Sequence, residues 1–365
     1  MRVMPKRADR VEDLDVPAIV DRMLRGAVEK QASDVHVEPT PEGYEVRYRI
    51  DGLLTTVQRH PHQFGRSIVN RLMVMAQLLT YRMDVPQEGR LALRLSPADA
   101  GEMEMRLAVM PTIHGMRAAV RLPAELVQPR RLEELGLPEE VVQGLLRFAR
   151  CDAGMLMVSG PAGSGKTTTI YALLEKIAEM QPGMSIIALE DPVERALKGV
   201  TQIQVSPFGE LTYEKALRSI LRQDPQVLML GEIRDAATAA LALQGALSGH
   251  RLICTLHAGN PAGAIARLLE MKLEPYQITS AVYGVVSMRL LRRRGGEGYQ
   301  GRVPVAEMLV FDDDLRRAVL DRADAQALRR AYEGRAGYLG LRESARRLVE
   351  AGLTDEQEVR RVLGD

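Results

Sequence analysis

The chain has 365 residues, enough for two or three domains with cores of their own. Its 49 Lys plus Arg balance 48 Asp plus Glu, it has no Trp, and only 4% of its residues are aromatic, which argues against a general nucleic-acid binder or a base-stacking platform. Two cysteines, Cys151 and Cys254, cannot make a disulfide framework, and no C-x-x-C occurs, as befits a reducing compartment. Met1 to Arg10 is charged, without the apolar core of a signal peptide, and no apolar run approaches a membrane span. The expectation is a cytoplasmic protein with no integral membrane segment.

Residues 1–13 read as a loose charged lead-in. Val16 to Glu29 has apolar residues at helical spacing. Ser33 to Pro39 and Tyr44 to Ile50 alternate as strands do, with a turn signal at Asp51-Gly52. Phe64 to Leu79 reads as a helix, and Leu91–Leu95, Glu102–Val109 and Arg117–Leu122 as strands. Residues 14–122 are thus predicted to form an α+β domain, followed by a connector at 123–131 and a second domain at 132–365. In that second domain helices are expected at Pro138–Phe148, Thr168–Glu175, Tyr213–Gln223 and Ala236–Leu247. Strands are expected at Met155–Ser159, Ser185–Leu189, Val227–Leu230 and Arg251–Leu256. Such alternation predicts an α/β domain with a mostly parallel sheet and helices on both faces. From about Pro261 onward the chain reads as largely helical.

Between the strand at 155–159 and the helix after it lies Gly160-Pro161-Ala162-Gly163-Ser164-Gly165-Lys166-Thr167, which fits G-x-x-x-x-G-K-[ST] at every fixed position. Glycines let successive backbone N–H groups turn inward around phosphate oxygens, and the helix N-terminus adds its dipole. Lys166 is the charge for the β- and γ-phosphates, and the Thr167 hydroxyl suits Mg²⁺, with Thr168 adjoining the binding segment. A merely structural glycine loop is a poor rival in this strand–loop–helix setting. The expected ligands are ATP and Mg²⁺.

Ligands of open α/β sheets bind beyond the carboxyl ends of the strands. Glu190, Glu232 and His257 each follow a predicted strand. One such residue alone would more often be solvated than catalytic; three beside a P-loop favour function. Glu232 is assigned to Mg²⁺ and Glu190 to the attacking water, although the sequence leaves the two roles interchangeable. His257 could sense the γ-phosphate through its imidazole N–H. A zinc site at His250, Cys254 and His257 is disfavoured, because 250 and 254 share a strand face while 257 points away. Asp34, His36 and Glu38 share a face as well and read as its polar side rather than a metal site.

These segments together resemble the secretion ATPase family, the motors of type II secretion and of type IV pilus assembly and retraction. The resemblance runs from about residue 16 to the end. It is carried by Ser33–Pro39 and Arg47–Gly52, by the Walker A box at Gly160–Thr169, and by the Asp box Leu189-Glu190-Asp191-Pro192-Val193-Glu194. It continues through Leu217–Pro225 with Gly231-Glu232-Ile233-Arg234-Asp235, and through the His box from Gly249-His250 to Thr255-Leu256-His257. It implies a RecA-like ATPase domain behind a smaller, PAS-like α+β domain. It also implies a homohexameric ring and arginines of the N-terminal domain reaching the γ-phosphate. Arg106 and Arg121 match those positions, and Arg117 and Arg90 match less well.

The chain departs from the family in several places. Leu290 to Tyr299 passes straight to Gly301-Arg302 without a four-cysteine insertion, so no zinc is expected. The family's first N-terminal domain is expected to be missing. Gln226 stands where the family usually has Asp, and Ala258 where it usually has Thr; both could tune the rate. Arg292–Arg294 reads as a solvated loop, with contact to anionic lipid a minority reading. The expected function is a hexameric cytoplasmic ATPase, peripheral at the inner membrane. It would drive type II secretion or a type IV pilus through an inner-membrane platform protein. The rivals are a nucleic-acid or DNA-uptake translocase on the same core, and a nucleotide-gated scaffold that does not hydrolyse ATP.

Overall fold

A computed structural model describes residues 15–94, 103–123, 131–205, 211–296, 298–335 and 337–364. The predicted lead-in and most of the predicted connector fall outside these residues. The chain divides into two compact units, Met1–Val127 and Gln128–Asp365.

The first unit runs α1 (Val16–Glu29), β1 (Asp34–Thr40), β2 (Gly43–Ile50), β3 (Leu53–His60), α2 (His62–Met75), β4 (Gln87–Leu93), β5 (Met103–Thr112) and β6 (Gly115–Arg121). Its six strands form one antiparallel sheet in the order β3-β2-β1-β6-β5-β4. α1 starts where the Asp15 carboxylate accepts from Ala18 N at 3.1 Å, and its Val20, Met23, Leu24 and Ala27 stripe is buried. That stripe and Phe64, Ile68, Val69 and Leu72 of α2 share one core with Val35, Val37, Val46, Leu107 and Val120 from the sheet. Because side chains alternate along a strand, the other face is left to polar residues. β3 is a strand the sequence did not announce. It is an edge strand with no fully buried residue, so no apolar alternation marks it.

The second unit opens with a 3-10 turn at Leu132–Glu134, then α3 (Glu139–Ala149), β7 (Gly154–Ser159), α4 (Lys166–Met180), β8 (Ile186–Glu190), β9 (Thr201–Gln204), α5 (Tyr213–Ile220), β10 (Val227–Leu230), α6 (Ala236–Leu247) and β11 (Arg251–Leu256). It continues with α7 (Pro261–Glu270), α8 (Pro275–Ala281), β12 (Val282–Gly295), β13 (Gly298–Val310), α9 (Asp313–Leu320), α10 (Ala325–Arg330), α11 (Leu341–Glu350) and α12 (Glu356–Leu363). The seven-stranded sheet has the order β13-β12-β7-β11-β10-β8-β9, parallel throughout except for β13. The central strands β7, β8, β10 and β11 are covered on both sides, so they read as continuous apolar runs. One core holds α3 and α4 against one face, and another holds α5 to α10 against the opposite face.

The long β12–β13 hairpin corrects the helical expectation for the last third. Val282 to Met288 is a short apolar run, which periodicity alone cannot assign to helix or strand. Its pairing with β7 from Val282↔Met155 to Ser287↔Ser159 decides the matter. The hairpin also corrects the reading of Arg292–Arg294 as a solvated loop. Arg292 lies in β12, its guanidinium bonds to the fully buried Glu358 at 2.8 and 3.0 Å, and it stacks 3.9 Å from the centre of the Tyr299 ring.

Candidate functional site

β7 ends at Ser159, and the chain leaves the sheet through Gly160, at φ +148°. A Cβ there would sit 2.5 Å from Ser164 Oγ and 2.6 Å from the Met288 carbonyl oxygen, so only glycine lets the loop pass β12 this closely. Gly163 and Gly165 are also left-handed, at +71° and +96°. Gly165 is the N-cap of α4, with no side-chain cap and no acidic residue in the first turn, so the first-turn N–H groups are left for an anion. Ser164 Oγ is buried without a partner among the described residues. Lys166 Nζ donates to the carbonyls of Gly160 and Pro161, both at 2.9 Å. Burial first, and then the neighbouring Arg289, push its pKa below the usual lysine value. A cation held, among the described residues, by its own loop's carbonyls and set beside a second cation fits a polyphosphate.

Parallel register brings the strand ends to one edge of the sheet. Leu256 pairs with Ser159, Leu230 with Cys254, and Leu189 with Leu230. Glu190, Glu232 and His257 therefore stand at the same edge as the P-loop. His257 Nε2 lies 3.3 Å from Glu232 Oε2. Burial and then Lys166 lower the His257 pKa, which keeps the imidazole neutral near neutral pH. Glu232 also pairs with Arg234, which lies 3.9 Å from Asp191. Thr255 Oγ1 donates to the Gly231 carbonyl at 2.5 Å and fixes the approach to Glu232.

Glu190 differs from Glu232 in being almost fully buried, at 3% exposure. One carboxylate oxygen accepts from the Tyr171 hydroxyl and the other from Gln202 Nε2 at 3.0 Å. Burial raises its pKa above the usual carboxylate value, against the pull of both donors. Thr167 carries a hydroxyl oxygen and Glu232 carboxylate oxygens, donor types that suit a hard cation such as Mg²⁺. Pro161, Ala162, Gly163, Thr167 and Thr168 lie in the loop and the first turn of α4, at the place the motif assigns them. Among the described residues no group of three or more His, Cys, Asp or Glu side chains is placed to hold a metal. His250 is turned away to the Gly245 carbonyl at 2.8 Å, and Cys254 is fully buried, which pushes its thiol up to about 12.

The first unit carries the arginines. On the polar face of its sheet, Arg90, Arg106 and Arg121 stand in one row across β4, β5 and β6. Arg90 is paired with Glu104 at 3.0 Å. Arg117 is held by Glu38 at 3.1 Å and donates to His36 Nδ1 at 2.7 Å. Arg49 meets Asp34 at 3.2 Å and Arg47 meets Glu38 at 2.7 Å, so Asp34, His36 and Glu38 belong to a salt-linked polar face. Arg106 and Arg121 make no ion pair among the described residues.

Sequence reasoning missed Tyr171, Gln202 and Arg289. Tyr171 counted only as a helix residue, and β9, which carries Gln202, is a four-residue edge strand without a buried residue. Arg289 lay in the stretch read as helix. It donates to the carbonyls of Met288 and Gly259 at 2.8 and 2.9 Å, and so clamps the segment after His257 to the strand beside the P-loop. Gln226 lies at the start of β10, the opposite edge from the phosphate loop, where its side chain accepts from Ser185 N at 2.5 Å.

Among known proteins, the type II secretion system protein HxcR of Pseudomonas aeruginosa is 37% identical over 385 residues, covering 99% of this chain and 81% of that protein. The type II secretion system ATPase E of Vibrio cholerae is 33% identical, covering 98% and 78%. The type IV pilus assembly ATPase PilB of Thermus thermophilus is 34% identical, covering 93% of this chain and 42% of its own length. The fold is that of the Legionella pneumophila ATPase DotB, with a TM-score of 0.74 at 22% identity over 99% of this chain and 97% of that one. The pilus retraction motor PilT, solved with bound ADP, shares it too, with a TM-score of 0.66 at 24% identity over 93% and 96%. The family model described as Type II/IV secretion system protein matches residues 9–361: the chain belongs to that family.

Proposed function

We propose that this chain is a Mg²⁺-dependent ATPase that works as a homohexameric motor for type II secretion or for a type IV pilus. The observation that carries the reading is the meeting of the P-loop, Glu190, Glu232 and His257 at one edge of the parallel sheet. The second unit is read as RecA-like and the first as PAS-like.

Lys166 exchanges the Gly160 and Pro161 carbonyls for β- and γ-phosphate oxygens. Thr167 and Glu232 would hold Mg²⁺, which would supply charge neutralisation at the phosphate oxygens when bound. Glu190, whose carboxyl burial raises above the usual carboxylate value, takes the proton of the attacking water. Neutral His257 donates to the γ-phosphate and reports its loss through Glu232. Arg106 and Arg121 neutralise charge on the transferring phosphoryl group. ATP turnover is coupled to mechanical work.

The secretion and pilus roles that the relatives' names carry support the choice of process. No helix among the described residues is long and apolar enough to cross a membrane. We place the motor at the cytoplasmic face of the inner membrane, acting through a platform protein there. In purified protein, Lys166→Ala and Glu232→Ala are each expected to abolish ATP turnover. Wild-type phosphate release from either variant would overturn the mechanism, and a particle that stays monomeric with nucleotide would overturn the ring.

A further inference from the structure

A buried polar cluster surrounds Glu190. Tyr171 is 2% exposed, and its ring packs in the core beneath α4. A phenylalanine would fill that core equally well, so the hydroxyl needs another explanation, since a buried O–H without a partner is costly. The hydroxyl donates to Glu190 Oε2 and accepts from the Glu194 N–H at 3.2 Å. From the opposite side Gln202 donates to Glu190 Oε1 at 3.0 Å and to the Arg195 carbonyl at 2.9 Å, while its own oxygen accepts from Leu197 N at 2.8 Å. The carboxylate is thus gripped between a helix and an edge strand, and the same two side chains pin the segment that leaves Glu190.

Tyr171 lies on the helix that Lys166 begins, about 7.5 Å further along its axis. One rigid element therefore carries both the lysine for the phosphates and the phenol that grips Glu190.

We propose that Tyr171, together with Gln202, is a positioning residue for Glu190, setting the direction of its carboxylate and tying that direction to the P-loop helix. The proposal rests on the reading of Glu190 as the group that activates water. Each carboxylate oxygen accepts one bond from these donors and keeps a second lone pair for the water. The two donors also favour the ionised carboxylate against the burial that raises its pKa. Loss of the phenol then has two effects: the carboxylate swings, and it is protonated at higher pH.

The test uses the purified full chain, with ATP turnover measured across roughly pH 5 to 9 at saturating and limiting ATP. Tyr171→Phe is expected to lower kcat by about tenfold or more, to leave KM for ATP within about twofold, and to move the acid limb of the kcat profile to higher pH. Gln202→Leu is expected to act in the same direction and serves as the second variant if Tyr171→Phe folds poorly. Combined with Glu190→Gln, Tyr171→Phe is expected to cost nothing further, because its action runs through a carboxylate already removed. An unchanged acid limb in both Tyr171→Phe and Gln202→Leu, with Glu190→Gln inactive, overturns the positioning role alone. So does a double variant slower than Glu190→Gln by the full Tyr171→Phe factor. Wild-type turnover in Glu190→Gln overturns the reading of the site and the positioning role with it.

Discussion

Arg106 on β5 stands directly opposite Arg121 on β6, and neither has a carboxylate within 4.0 Å among the described residues. Like charges directly across an antiparallel pair cost about 0.2–1 kcal/mol. Their neighbours Arg90 and Arg117 have acidic partners. Two adjacent guanidinium groups on an exposed face, without an ion pair among the described residues, are suited to receive an anion.

The first prediction follows from that cost. Arg106→Gln and Arg121→Gln should each leave the melting temperature unchanged or slightly raised. Each should lower kcat by about a hundredfold or more, as expected for an arginine that stabilises transition-state charge. Calorimetry and phosphate release on the same samples check both halves. A parallel loss of stability and turnover would assign these arginines a structural role.

The glycines of the P-loop are predicted to differ. Gly160→Ala places a methyl group 2.5 Å from Ser164 Oγ and 2.6 Å from the Met288 carbonyl oxygen, on backbone at φ +148°. The loop must then move away from β12, and nucleotide affinity should fall by at least about tenfold. Gly163→Ala meets nothing within 4 Å and carries only the left-handed backbone cost, about 1–2 kcal/mol. Titration with a fluorescent ATP analogue separates the two, with the larger loss expected at Gly160.

Glu358 governs the acid stability of the C-terminal helices. Burial would raise its carboxyl, but hydrogen bonds from Arg361 and Arg292 outweigh burial and bring it down to about 2. Its folded pKa lies below the unfolded value of 4.5, so the stabilisation is fully present above that pH and is lost as pH falls towards 2. Glu358→Gln should destabilise the protein at neutral pH by about 1.5–3 kcal/mol, the cost of losing charge-assisted hydrogen bonds from the part-exposed Arg292 and Arg361. The difference from the parent should shrink in acid. Urea unfolding at several pH values measures it, and a pH-independent difference would show that packing rather than charge was lost.

Much of this architecture was legible because its signals are local. The octet Gly160–Thr167 carries its own loop conformation, and the apolar runs of β7, β8, β10 and β11 are continuous because both faces of a parallel sheet are covered. Edge strands carry no such mark: β3 and β9 each have a solvent-facing side, and neither shows alternation. β12 was misread because Val282 to Met288 suits a buried helix as well as a buried strand, and only its neighbour β7 distinguishes the two. Arg292 looked solvated because its partner Glu358 lies 66 residues later.

The sequence by itself determined that a phosphate loop exists, which side chains end the neighbouring strands, and the family to which the chain compares. Those properties depend on residue type and short spacing. Only the tertiary structure decided that Tyr171 and Gln202 hold Glu190 while Glu232 is shared by Arg234 and His257. It also decided that, among the described residues, Arg106 and Arg121 make no ion pair while Arg90 and Arg117 do. Burial and pairing set the ionisation and direction of a carboxylate or a guanidinium, and both are fixed by residues far apart in the chain that the sheets bring within hydrogen-bonding distance.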